Sequence, residues 1–177
     1  MEYLKRTWCE IDLDCFQYNI DLLRQAAQKE LIAVVKADAY GHGDAYTCRT
    51  LQQCGIRFFA VSNINEALNL RHKGIEGEIL ILGYTPPQLA VRLISSRITQ
   101  AVHCTEYGKS LNEAAHLGKV KVHLKIDTGM HRIGFCQDGT RDSAEEILSL
   151  RQLENLDICG ICTHFSCSDS FAPEDVA

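Results

Sequence analysis

A lysine at the end of an apolar run is the residue of this chain best suited to chemistry. Lys36 follows five apolar residues, 31–35, which include two adjacent valines and are typical of a buried strand. An amine among apolar neighbours is suited to form a Schiff base with a carbonyl compound. Tyr40 and two glycines that flank His42 come next, and we expect His42 to hydrogen-bond within this turn. A single lysine more commonly lies exposed just past a strand, so position alone does not establish catalysis.

A second segment, K-V-H-L-K-I-D-T-G-M-H-R-I-G at 121–134, also ends a predicted strand with charged residues. Polar and apolar residues alternate along it, which predicts lysines and a histidine on one face and valine, leucine and isoleucine on the other. Lys125 comes last on the polar face, Asp127 opens a glycine turn, and Arg132 follows that turn. We expect Asp127, like Asp38 in the first segment, to orient neighbouring groups and not to transfer protons.

The elements that must position these residues alternate along the chain. Predicted strands fall at 31–36, 58–61, 78–82, 99–103, 120–126 and 156–162, with helical stretches between them. This alternation predicts an α/β fold with a parallel sheet, whose ligands bind at the carboxyl ends of the strands. An open doubly wound sheet and part of a (β/α)₈ TIM-type barrel both fit, since a full barrel needs eight units and about 250 residues. The G-x-G-x-x-G loop of dinucleotide-binding sheets is missing after the first strand, which leaves a Rossmann site unsupported.

The composition narrows the classes of partner. The 177 residues include 18 basic and 23 acidic side chains, a formal net charge of −5 without basic runs, which argues against nucleic-acid binding. No apolar stretch approaches the roughly 20 residues that span a bilayer, and residues 1–6 lack the apolar core of a signal peptide. We therefore expect a cytoplasmic protein with no membrane segment in this chain, although a membrane-anchored parent protein would also fit.

Nine cysteines are many for a chain of this size. Their scattered spacing fits reduced thiols that serve as small core residues. The cluster C-G-I-C-T-H-F-S-C at 159–167 also invites interpretation as a zinc site. Cys159 and Cys162 fall on one predicted strand, however, where residues three apart point to opposite faces and cannot close one tetrahedron. We therefore predict no metal site.

Two long motifs resemble a known family. V-V-K-A-D-A-Y-G-H-G at 34–43 and L-K-I-D-T-G-M-H-R-I-G at 124–134 are similar to segments of alanine racemase, the pyridoxal phosphate (PLP) enzyme of bacterial cell-wall synthesis. T-H-F-S-C-S-D at 163–169 and the opening segment 8–20 resemble two further segments of that family. The resemblance implies a PLP-binding (β/α)₈ barrel, of which residues 1–177 are the N-terminal six units or so. The remaining barrel units and a C-terminal β domain would lie beyond residue 177, and we expect an N-terminal fragment.

The resemblance also implies a role for individual side chains. Lys36 matches the lysine that carries PLP and acts as the base on one face of the substrate Cα. Arg132 matches the arginine that donates to the cofactor's phenolic oxygen and approaches the substrate carboxylate. Lys125 matches a lysine that is carbamylated in many members, and its carbamate would hold Arg132 in place. Tyr40 and His164 match residues beside the cofactor.

The expected activity is interconversion of L- and D-alanine, which supplies D-alanine for peptidoglycan. The family works as a homodimer, in which a tyrosine from the C-terminal domain of the other subunit is the second base. A serine racemase of the same family, of the kind found in glycopeptide-resistant bacteria, fits the sequence equally well, because specificity lies largely in the C-terminal domain. A non-catalytic single-domain PLP-binding homeostasis protein is the alternative from another class. Its members have the barrel and a lysine after the first strand but lack both long motifs.

Overall fold

The computed structural model describes residues 7–136, 143–170 and 172. This part of the chain contains six strands and seven helices, with at least one helix between successive strands. The strands are β1 (Ile32–Val34), β2 (Phe58–Val61), β3 (Glu78–Ile81), β4 (Thr99–Val102), β5 (Val120–Lys125) and β6 (Leu156–Cys162). The helices are α1 (Leu13–Ala27), α2 (Lys36–Tyr40), α3 (Asp44–Gln53), α4 (Ile64–His72), α5 (Ala90–Ser95), α6 (Thr105–Ala114) and α7 (Ser143–Leu150). A 3₁₀ turn, Pro87–Leu89, precedes α5.

The strands form one parallel sheet in the order β1-β2-β3-β4-β5-β6. The prediction of a parallel α/β sheet is therefore confirmed. Because the order follows the chain and every pair is parallel, all six carboxyl ends lie at one end of the sheet. The sequence placed the last five strands to within one residue at each end, whereas β1 is shorter than the predicted run 31–36 and ends before Lys36.

The two faces of the sheet differ in what covers them. The face toward the helices holds the main core, which includes Phe59, Ile81 and Val122, each fully buried. The opposite face holds a small cluster centred on Leu80. The alternation predicted for β5 is confirmed, because the valine and leucine at 122 and 124 are buried in the main core while Lys121 turns to the other face.

Contacts across that second face show that the sheet curves. The ring of Phe58 on β2 meets the ring of His123 on β5 edge to face, with 5.7 Å between centroids. Lys121 Nζ on β5 lies 3.0 Å from Glu78 Oε1 on β3. Neither pair of strands is adjacent in the sheet, so these contacts require it to bend toward closure. Curvature of this kind favours the barrel over the open doubly wound sheet.

The nine cysteines correct one expectation about the core. All nine are free thiols, but only Cys48 is buried, and Cys9, Cys15 and Cys159 are exposed. Cys159 lies on β6, which is an edge strand of the described sheet. The expectation that the cysteines are small core residues is therefore wrong for most of the nine. Within the described residues no helix is long and apolar enough to cross a bilayer.

We expect Gly160→Ala to destabilise the sheet through His123. A Cβ at Gly160 would overlap the imidazole ring of His123 on the neighbouring strand. Overpacking of this kind costs about 1–3 kcal/mol in the free energy of unfolding, which urea titration measures. In a His123→Ala background the same glycine substitution should cost clearly less, since the overlapping ring is gone. Equal costs in the two backgrounds would show that the ring is not the obstacle.

Candidate functional site

The turn that carries Lys36 has an unusual backbone. Lys36 begins α2, and the four residues after it, Ala37 to Tyr40, all have positive φ, from 50° to 55°. None of them is glycine, and a left-handed conformation costs an L-residue about 1–2 kcal/mol. The expectation that Lys36 ends a strand was wrong for this reason, because the chain leaves β1 in a left-handed turn. Strained backbone of this kind is concentrated at functional sites, where surrounding contacts hold it in place.

Several hydrogen bonds hold the turn in place on the side away from Lys36, toward α3. Asp38 Oδ1 accepts the backbone N–H of Asp44 at 2.8 Å, at the start of α3. The Asp44 carboxylate in turn accepts from Asn69 Nδ2 on α4 at 2.6 Å. His42 Nδ1 lies 3.0 Å from the carbonyl oxygen of Ala39, so this histidine bonds within the turn as predicted. Asp38 orients its neighbours, which also agrees with its expected role.

Glu66 holds the turn on the side of Lys36, and the sequence analysis missed this residue. Its Oε1 accepts the backbone N–H of Ala37, the residue after Lys36, at 3.0 Å. Its Oε2 accepts the backbone N–H and the hydroxyl of Ser62, at 2.8 and 2.9 Å. Asn63 caps α4 by accepting the N–H of Glu66, so N-I-N-E is a capping box, and this signal could have been found in the sequence.

The Glu66 carboxylate is held in its charged form. Burial raises the pKa of Glu66, but hydrogen bonds from the backbone of Ala37, Ser62 and Asn63 and from the Ser62 hydroxyl outweigh that effect, and the net pKa is lowered. Glu66 is therefore an anion at neutral pH, and it accepts hydrogen bonds through both of its oxygens. A charged acceptor makes stronger hydrogen bonds than a neutral one.

The side chain of Lys36 lies over the ring of Tyr40. Its Nζ is 5.7 Å from the ring centroid, within the range of a cation–π contact. Lys36 is half-buried, while Tyr40 is 60% exposed at the carboxyl end of the sheet. The two residues that the sequence placed together in this segment are thus in contact.

Lys125 is a buried cation at the end of β5. It is only 7% exposed, and its Nζ donates to the carbonyl oxygen of Ile126 at 2.9 Å. No carboxylate of the described residues forms an ion pair with it. The charge of Lys125 contributes to lowering the pKa of Asp127, although the two side chains do not form an ion pair. Burial of a charge that is not closely paired is unfavourable.

The loop after Lys125 is ordered by Asp127 and joined to β6. Asp127 Oδ1 accepts the backbone N–H groups of Gly129 and His131, both at 3.0 Å. These bonds lower the pKa of Asp127, and the bond from His131 has the largest effect. Asp127 thus orients the segment that leads to Arg132, as predicted. Thr163 Oγ1 donates to the Ile126 carbonyl oxygen at 2.9 Å, which ties the segment before His164 to the same loop.

The predicted site residues fall into two groups at one end of the sheet. Lys36 and Tyr40 follow β1, while Lys125, Arg132 and His164 end or follow β5 and β6. Arg132 and His164 are exposed. Within the described residues, no hydrogen bond or ion pair joins the first group to the second. Nor do three or more His, Cys, Asp or Glu side chains of these residues converge as metal ligands.

The described residues thus define a parallel α/β protein with two lysines and an arginine near the carboxyl ends of its strands. Comparison with known proteins identifies the family. A model of the family "Alanine racemase, N-terminal domain" matches residues 11–176. An alanine racemase of Clostridium perfringens is 44% identical over 169 residues, 94% of this chain and 43% of the relative. An amino-acid racemase of Enterococcus faecalis is 38% identical over 174 residues, 97% of this chain and 24% of the relative.

Solved structures agree with the sequence relatives. The alanine racemase of Clostridium difficile 630 superposes with a TM-score of 0.89 at 36% identity, covering 99% of this chain and 49% of that one. The chain therefore belongs to the alanine racemase N-terminal domain family. It spans about 43% of the length of the Clostridium perfringens relative. Family membership confirms the resemblance and the barrel-type fold.

Proposed function

We propose that the protein containing this chain is a PLP-dependent amino-acid racemase and that alanine is its substrate. The observation that carries the proposal is the strained turn at Lys36, which lies at the same end of the parallel sheet as Lys125 and Arg132. Membership of the racemase family and the alanine racemases among the relatives support the reaction. The homeostasis-protein alternative is disfavoured because both long racemase motifs are present.

The residues at this end of the sheet fit PLP. Lys36 supplies a half-buried amine for covalent attachment, beside the ring of Tyr40. Arg132 suits the phenolic oxygen of the cofactor and the carboxylate of the substrate, because its donors form a fixed fork. Lys125 fits a modified residue: a carbamate on its Nζ would replace a buried, unpaired cation with an anion that can hold Arg132.

Each residue then has a task in proton transfer at the substrate Cα. When bound, PLP stabilises the electron pair left on Cα after a proton is removed. Lys36 would hold the cofactor, and its free amine would remove or return the proton on one face of Cα. Arg132 fixes the substrate carboxylate, and His164 and Tyr40 line the space beside it. The opposite face needs a second base, which we assign to the tyrosine that family members donate from their other subunit.

The choice of substrate and the assembly are part of the same proposal. We place the protein in the supply of D-alanine for peptidoglycan, as a cytoplasmic homodimer. The relative from Enterococcus faecalis is named an amino-acid racemase without a stated substrate, which keeps serine as the second candidate.

The test is a racemisation assay on the protein at its natural length. L-Alanine and L-serine are supplied separately with PLP, and chiral chromatography follows formation of each D-isomer. We expect D-alanine to form at the higher kcat/KM. Faster conversion of L-serine would reassign the substrate, and conversion of neither amino acid would contradict the proposed reaction.

A further inference from the structure

The chain leaves β1 through a peptide that Glu66 holds. The N–H of Ala37 points to Glu66 Oε1, 3.0 Å away, and this N–H belongs to the peptide bond that Lys36 itself forms. Ala37 is also the first of four consecutive residues with positive φ. The direction in which the Lys36 side chain leaves the backbone therefore depends on the bond that Glu66 accepts.

Glu66 connects this peptide to a rigid part of the fold. It sits in the first turn of α4, and its second oxygen accepts from the backbone and hydroxyl of Ser62, directly after β2. The strands β1 and β2 are neighbours in the sheet. One carboxylate thus bridges the ends of two adjacent strands, and the Asn63 cap fixes the helix turn from which it projects.

The bridge needs a carboxylate. Oε1 and Oε2 face N–H donors on opposite sides, so both atoms must be acceptors. A glutamine at this position has nearly the same shape, but one of its two terminal atoms is an NH₂ donor. That donor would face either the N–H of Ala37 or the N–H of Ser62, and one of the two bonds would be lost.

We propose that Glu66 is a positioning residue for Lys36: its carboxylate fixes the peptide after Lys36 and so aims the amine at the reacting centre. The inference rests on the proposed function for its chemical purpose. The geometry itself involves only residues of this chain.

The experiment compares the wild type, Glu66→Gln and a matched control, Asn112→Ala, each in the protein at its natural length. The side chain of Asn112 on α6 accepts the backbone N–H of Asn155 at 2.8 Å. Asn155 directly precedes β6 and therefore lies at the opposite end of the sheet from Lys36. Both substitutions therefore remove a side-chain acceptor for one backbone N–H. Thermal unfolding of both variants measures the general loss of stability.

Two readouts follow Lys36 directly. Competitive acylation with a limiting amine reagent, read by mass spectrometry, compares Lys36 with the exposed Lys29 in the absence of PLP. Reductive trapping with PLP and borohydride gives the rate at which Lys36 captures the cofactor. In Glu66→Gln we expect Lys36 acylation to rise about two- to tenfold, the equilibrium effect of losing one hydrogen bond, and trapping to slow by a similar factor. Asn112→Ala should match the wild type in both readouts.

The outcomes separate this inference from the proposed function. Absence of trapping at Lys36 in the wild type would overturn the PLP function, and acylation alone would then decide the role of Glu66. Unchanged acylation in Glu66→Gln would overturn the positioning role. So would equal changes in Asn112→Ala, since the effect would then follow from lowered stability. Raised acylation with a normal rate of PLP trapping in Glu66→Gln would also overturn the positioning role, because capture of PLP would then not depend on the orientation of the Lys36 amine.

Discussion

Lys36→Ala, in the protein at its natural length, should abolish both covalent capture of PLP and racemisation. In the proposed function the Lys36 amine attaches the cofactor at the carboxyl end of the sheet and is also the base on one face of Cα. Loss of a positioned general base alone slows a reaction by about 10²–10⁴-fold. The visible absorption of lysine-bound PLP should vanish along with D-alanine formation.

A neighbouring lysine provides the control for this prediction. Lys29 is exposed and lies shortly before β1, at the opposite end of the sheet, so Lys29→Ala removes one lysine cation without touching the turn. We expect its absorption and turnover to equal those of the wild type. Racemisation by Lys36→Ala at more than a few per cent of the wild-type rate, without added amine, would refute the role assigned to Lys36.

The order of the elements was predictable because it depends on patterns that are local in the sequence. Apolar runs such as Phe58–Val61 are short and rich in strand-forming residues. Glycines or N-cap residues mark the ends of the helices, as Asp12 does for α1. Parallel pairing then follows from strict alternation of strand and helix. Curvature was not predictable in the same way, because the contact of Phe58 with His123 joins residues far apart in the chain.

The candidate site was only partly predictable. Charged residues at or just after strand ends, such as Lys125 and Lys36, could be found because the apolar residues before each of them are visible in the sequence. The left-handed turn after Lys36 could not, since Ala37 to Tyr40 include no glycine to indicate positive φ. The partner that holds this turn, Glu66, lies 29 residues beyond Ala37. The capping box at 63–66 could have indicated the start of α4. The bond from Glu66 to Ala37 could not have been predicted, because it depends on the tertiary fold.

Residues 1–177 expressed alone should show negligible racemisation. The described sheet has β1 at one edge and β6 at the other, each paired on one side only. Apolar side chains are exposed on these edge strands, with Ile32 at 47% and Ile161 at 68%. Unpaired strand edges favour association with another chain. The match covers only 43% of the Clostridium perfringens relative, and we propose that the second base and most contacts to the cofactor phosphate come from outside residues 1–177. PLP should therefore bind weakly to residues 1–177 alone.

The test combines an activity assay with a measurement of mass. Residues 1–177 are purified, light scattering gives their mass, and L-alanine is supplied with saturating PLP. The segment of the Clostridium perfringens relative that lies beyond the matched region is then added in trans. We expect self-association without turnover at first, and a gain of D-alanine formation once the added segment pairs with the open edges. The gain should disappear with Lys36→Ala, because the added segment would supply the second base but not the lysine. A stable monomer of residues 1–177 that turns over as fast as a full-length racemase would show that one sheet of six strands is sufficient for the reaction.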